Sequence, residues 1–193
     1  MRFSETELAG VLRVDLEPLS DERGSFARLH CEREFAERGL AGRMVQTSAS
    51  HTARRGTVRG MHFQWPPARE SKLVRCIRGR IFDAVIDLRP DSSSFGQHIA
   101  LELSAANRVA LYISPGLAHG FQTLDEDCEV LYQMGDFYAS ALSSGLRWND
   151  PAFGIAWPLP CTCIHERDAA YRDFDPSRFA REVEERGGWS PLP

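Results

Sequence analysis

The chain has 193 residues, 42% of them hydrophobic and 26% charged, with a formal net charge of -4. That is enough to bury a sizeable core in a single domain spanning residues 1–193, and the acidic balance argues against nucleic acid as the main partner. No apolar run approaches the roughly 20 residues of a membrane helix, and the opening Met1-Arg2-Phe3-Ser4-Glu5-Thr6-Glu7 lacks the apolar region of a secretory leader, so the expectation is a cytoplasmic protein with no membrane contact.

Apolar and β-branched runs predict short strands over Val11–Leu16, Arg43–Thr47, Thr57–Phe63, Lys72–Ile77, Arg80–Leu88, His98–Leu103, Val109–Ile113, Gly120–Leu124 and Glu129–Met134. In Arg80–Leu88, Ile81, Asp83, Val85 and Asp87 share one face, and Phe82, Ala84, Ile86 and Leu88 share the other. Turn signals such as Arg78-Gly79, Arg89-Pro90-Asp91 and Ser114-Pro115-Gly116 separate the runs. Many short strands at this spacing read as an all-β sandwich or barrel. Two peripheral helices are predicted: one over Glu32–Arg38, stopped by Gly39, and one over Pro176–Arg186, after an Asp175 cap and before Gly187-Gly188.

The five cysteines are unevenly spaced, with Cys161-Thr162-Cys163 the only close pair. They read as reduced thiols rather than a disulfide framework or a zinc site. A metal-binding cupin is the sharpest rival for the histidines, but such sites present a His-x-His pair, and His62 is followed by Phe63 and Gln64. No metal is expected, and with no Gly-rich dinucleotide fingerprint, no cofactor.

The chemistry concentrates in Arg59-Gly60-Met61-His62-Phe63-Gln64, then Lys72-Leu73-Val74-Arg75, Pro115-Gly116-Leu117-Ala118-His119, Tyr132, Tyr138 and Asp168. A base, a carboxylate to orient it, a cation and a phenol are the parts needed to move a proton beside a carbonyl. Taken singly, each residue also has a plain structural reading: a satisfied strand histidine, a solvated lysine, a half-buried tyrosine, a capping aspartate. Three residues apart on an extended chain, Arg59 and His62 lean to opposite faces unless a bend intervenes, and Gly60 permits one.

Together with Arg23-Gly24-Ser25-Phe26, Ser94-Phe95-Gly96 and Trp148-Asn149-Asp150-Pro151, these segments resemble the dTDP-4-dehydrorhamnose 3,5-epimerase family from about Arg23 to Asp168. The resemblance implies a double-stranded β-helix, the cupin jelly roll, assembled as a homodimer without metal. It implies a nucleotide-linked 4-keto-6-deoxyhexose as substrate, within deoxysugar or surface-polysaccharide synthesis. His62 would be the base, oriented by Asp168; Lys72 would stabilise the enolate; Tyr132 would return a proton from the opposite face. Arg59 would meet the pyrophosphate, and Asp83, His119, Tyr138 and Arg167 would line or support the pocket. Gln46 and Ser48 would lie by the nucleotide, and Arg23 and Phe26 would reach the base in the partner subunit's site.

At Arg28 the family's usual acid is replaced by a cation, which cannot accept a hydrogen bond from a thymine N–H. This raises a CDP-linked substrate as an alternative, beside an epimerase of one centre only and an inactive sugar-nucleotide-binding cupin. Ser48 likewise stands where the family has an amide.

Overall fold

The computed structural model describes residues 1–189. In chain order the strands are β1 (Arg2–Glu5), β2 (Val11–Asp15), β3 (Leu19–Asp21) and β4 (Gly24–Phe26), followed by helix α1 (Glu32–Ala36). Next come β5 (Gln46–Thr52), β6 (Val58–Gln64), β7 (Lys72–Arg78), β8 (Arg80–Asp87), β9 (His98–Ser104), β10 (Ala110–Ile113), β11 (Leu117–Thr123), β12 (Cys128–Met134) and β13 (Ser143–Gly145). Two helices close the chain, α2 (Glu166–Ala169) and α3 (Pro176–Glu185).

A six-stranded sheet runs β1-β2-β10-β7-β12-β5 and a five-stranded sheet runs β13-β6-β11-β8-β9, with β3 and β4 forming a separate hairpin. The pairings within these sheets are antiparallel. The two sheets pack face to face as a jelly roll, with Val74, Leu111 and Val130 of one meeting Ile81, Val85, Leu103 and Phe121 of the other.

The alternation read in β8 holds. Ile81 and Val85 point between the sheets, whereas Ala84 and Ile86 point outward into a second cluster with Phe179 and Val183 of α3. A strand buried on both faces needs a cover on its outer side, and the aromatic-rich C-terminal segment supplies it. Trp65, Phe179 and Trp189 stack there, with the Trp65 and Trp189 rings 6.5 Å apart and only 4° from parallel. Asp175 caps α3 by accepting from the Arg178 N–H at 3.0 Å. On the outer face of the other sheet, Phe35 of α1 plays the same part over Val14, Leu73 and Tyr112.

The expected strand over Arg43–Thr47 is displaced to Gln46–Thr52. Its sequence, Gln-Thr-Ser-Ala-Ser-His-Thr, carries little apolar signal because one face lines a polar cavity and the other is exposed. The strand expected from Gly120 begins at Leu117. Strands β1, β3, β4 and β13 and helix α2 carry three or four residues each, too few to show a period in the sequence.

Candidate active site

Strand β6 carries the central residues, and its pairing with β11 resolves the question of phase. His119 faces His62 and Phe121 faces Arg59, so β6 uses three steps where β11 uses two. The extra residue is a β-bulge, and it returns Arg59 to the face that His62 occupies. Arg59 and His62 therefore line one cavity. Gly60 makes this possible: its φ is +128°, and a Cβ there would sit 2.5 Å from the Gly120 Cα. Only glycine fits such a backbone approach.

Asp168 reaches the cavity from α2, whose first turn is capped by His165 accepting from the Arg167 N–H at 3.1 Å. The Asp168 Oδ1 lies 2.8 Å from His62 Nε2, and its Oδ2 accepts from the Gly60 N–H at 3.4 Å. Burial pushes the Asp168 carboxyl up, but the His62 hydrogen bond and charge, the Gly60 N–H and Arg167 outweigh it and leave the group below the ordinary carboxylate range. An ionised Asp168 fixes the tautomer of its neighbour: Nε2–H donates to the carboxylate, so the His62 lone pair is on Nδ1.

The opposite wall comes from the other sheet. Tyr132 of β12 packs edge-on against His119 at 6.1 Å and, tilted by 41°, against Phe121 at 6.5 Å. Burial, with the Asp83 carboxylate adding to it, holds its phenol well above the ordinary tyrosine range, so it stays protonated. Lys72, at the start of β7, lines the same wall and ion-pairs with Glu70. Arg59 donates to Thr52 Oγ1 at 2.9 Å and to the His51 carbonyl at 3.1 Å. Both acceptors are neutral, and no carboxylate among the described residues pairs with Arg59, so its charge faces the cavity.

His119 belongs to the wall, whereas Asp83 stands behind it, fully buried and hydrogen-bonded to His119 Nε2 at 2.8 Å. Burial raises the Asp83 carboxyl, and His119 opposes that. Asp83 is thus a support, not a lining residue. The main cavity has a volume of about 720 Å³. A side lobe of about 430 Å³ shares His62, Lys72 and Arg167 with it and adds Gln46, Ser48, Gln64, Glu70 and Tyr138. The Tyr138 ring is exposed at this lobe, and its backbone N–H donates to Gln46 Oε1 at 2.6 Å.

Arg23, Phe26 and Arg28 do not reach the cavity of their own chain. Arg23 and Phe26 lie on the β3–β4 hairpin, where Phe26 is 74% exposed. Arg28 donates to Glu34 at 2.7 Å. Sequence reasoning missed Glu70, Ser50, Thr52, Cys163 and His165, all of which touch the site or hold something that does. Glu70 had one available signal, since residues two apart in extended chain share a face with Lys72. A cavity of about 790 Å³ elsewhere is larger, but its Arg89 is already paired with Asp87 at 2.7 Å and its lining holds no histidine.

A jelly roll whose interior brings together a histidine–aspartate pair, a lysine, a buried tyrosine and a free arginine defines an isomerase of the acid–base type. The family model described as dTDP-4-dehydrorhamnose 3,5-epimerase matches residues 5–175. The dTDP-4-dehydrorhamnose 3,5-epimerase of Methanothermobacter thermautotrophicus is 41% identical over 180 residues, covering 92% of this chain and 95% of that protein. Among solved structures, the Bacillus anthracis dTDP-4-dehydrorhamnose 3,5-epimerase with TDP and pyrophosphate bound superposes with a TM-score of 0.86 at 32% identity, over 90% of this chain and 99% of that one. A 4-keto-6-deoxy sugar epimerase from the novobiocin gene cluster of Streptomyces spheroides gives 0.88 at 30% identity, over 100% and 96%. The chain belongs to the dTDP-4-dehydrorhamnose 3,5-epimerase family.

Proposed function

We propose that this protein converts dTDP-4-dehydro-6-deoxyglucose to dTDP-4-dehydrorhamnose by inverting C3 and C5. The observation that carries this reading is the placement of a base and an acid on opposing walls. His62 stands on the five-stranded sheet, and Tyr132 and Lys72 stand on the six-stranded sheet across one cavity. Inversion needs a proton removed from one face of a carbon and returned to the other.

His62 Nδ1 takes the proton from the carbon next to the ketone. The C–H electrons form the C=C bond of the enolate, and the carbonyl π electrons move onto the C4 oxygen. Lys72 holds that developing negative charge, an interaction stronger in the transition state than in the ground state. Tyr132 gives its proton to the opposite face of the carbon, and the imidazolium and phenolate return to their starting states by exchange with solvent. Asp168 stabilises the imidazolium in the interval. Arg59, with donors left over, suits a pyrophosphate. Arg167, Gln46, Ser48 and Tyr138 surround the side lobe and contact the rest of the substrate, with Asp83 and His119 stiffening the wall.

The hairpin supports a shared site. Leu19 and Phe26 are 76% and 74% exposed beside Arg23, an aromatic and a cation presented outward. In a homodimer they would enter the partner's cavity and stack on the base. Arg28 donates to Glu34 of its own chain, and the relatives named for dTDP-4-dehydrorhamnose support the dTDP substrate over a CDP-linked one.

Proton NMR in D₂O with dTDP-4-dehydro-6-deoxyglucose tests the reading. Loss of both the C3 and C5 proton signals is expected. Exchange at one position would reassign the protein as a single-centre epimerase, and no exchange would remove the activity.

A further inference from the structure

Lys72 is the only lysine in the 193 residues; the other 22 basic side chains are arginines. It is also held by a residue to which the mechanism above gives no part. Glu70 ion-pairs with Lys72, and the two side chains are only 10% and 13% exposed. Glu70 lines the side lobe and Lys72 lines both lobes, so the pair sits where they join. We propose that Glu70 is a positioning residue for the epimerisation, which parks the Lys72 ammonium at this junction and releases it to the substrate oxygen as charge develops there. The inference rests on the proposed function.

The backbone makes Glu70 a fixed anchor. Between the two residues, Ser71 is fully buried and its carbonyl accepts from the Gly135 N–H at 2.9 Å. Lys72 is in register with Met134 on one side and Ile113 on the other. The lysine stem, by contrast, has four rotatable methylenes and a compact head with three donors. Without a partner the ammonium would sample both lobes, and the entropy of fixing it would fall on the reaction. With the Glu70 acceptor oxygen in place, a neutral ketone draws the ammonium away no better than that oxygen holds it, whereas a charged enolate does. The cation then favours the transition state over bound substrate. An arginine has no such compact head, which gives a reason for the lone lysine.

The lone lysine also makes the test clean, because protein grown on ε-¹⁵N-lysine shows one side-chain nitrogen signal. The variants are Glu70→Ala, which removes the partner, and Glu70→Gln, which keeps an acceptor oxygen in place without the charge. In Glu70→Ala, kcat for substrate proton exchange should fall about tenfold or more with KM within about threefold, and ammonium hydrogen exchange at Lys72 should quicken about tenfold. Glu70→Gln should recover most of both. Wild-type kcat in Glu70→Ala, a change confined to KM, or no recovery in Glu70→Gln would each overturn the proposal. If the wild type leaves the substrate protons unexchanged, the functional reading fails by itself. The ammonium exchange rates still judge Glu70, and equal rates in all three proteins would refute its hold on Lys72.

Discussion

At the scale of single residues, the cavity makes separable demands on its two walls. His62→Ala should lower proton exchange at both carbons by about 10³-fold, the middle of the range for a positioned base. Tyr132→Phe removes only the acid, so isotope should still wash into the substrate while little inverted product forms; product analysis beside the exchange measurement separates the two. The depressed Asp168 carboxyl adds a pH signature. A carboxylate with a lowered folded-state pKa stabilises the protein above its unfolded value of about 4 and loses that contribution as pH falls through the folded value. Asp168→Asn should therefore be less stable than the wild type by about 1–3 kcal/mol near neutrality. Urea titrations at pH 7 and in acid should show the gap closing. Taken singly these residues have plain structural readings, and their roles were legible only through the ordered segments that carry the family resemblance. The role of Glu70 was not, because it acts on Lys72 and not on the substrate.

At the scale of elements, function depends on one irregularity. Strict alternation would turn Arg59 away from His62, and the bulge at Gly60 prevents it. Gly60→Ala would put a side chain on a left-handed backbone and against Gly120, so a loss of more than about 2 kcal/mol is expected. Circular dichroism during thermal unfolding would measure it, and a wild-type melting curve would contradict the assigned geometry. The long apolar strands, β7, β8 and β12, were readable because their period and composition agree. Strand β5 was misplaced because it is chosen for what it shows the cavity. Helix α2 was hidden because a four-residue turn is specified by its cap and by the His62 contact, and neither is periodic.

At the scale of the whole molecule, two sheets shape the cavity and two helices seal the outer faces. Phe179 is 6% exposed under α3, so Phe179→Ala should cost about 3–5 kcal/mol and lower the urea midpoint, while leaving the His62–Asp168 pair intact. The β3–β4 hairpin behaves oppositely. It contributes little to its own chain's core, so Phe26→Ala should fold normally and raise KM for the nucleotide sugar about tenfold through the loss of base stacking. Sedimentation of the wild type tests the proposed homodimer, and a monomer would remove the shared site. The jelly roll was readable from strand count and spacing, but the proposed sharing of a site across subunits rests on resemblance, since an exposed Phe on a short hairpin looks the same in sequence as a buried one.

The near-parallel indoles of Trp65 and Trp189 have an optical consequence. Two indoles stacked this closely give each other a fixed, asymmetric surrounding, so the near-ultraviolet circular dichroism should change when either ring turns away, over a constant contribution from the Trp148–Trp157 pair. Trp65 follows the strand that carries His62, and Trp189 ends the C-terminal cover. The protein thus carries an intrinsic, label-free gauge of whether that cover is closed over the catalytic sheet, readable during turnover or heating without touching the cavity.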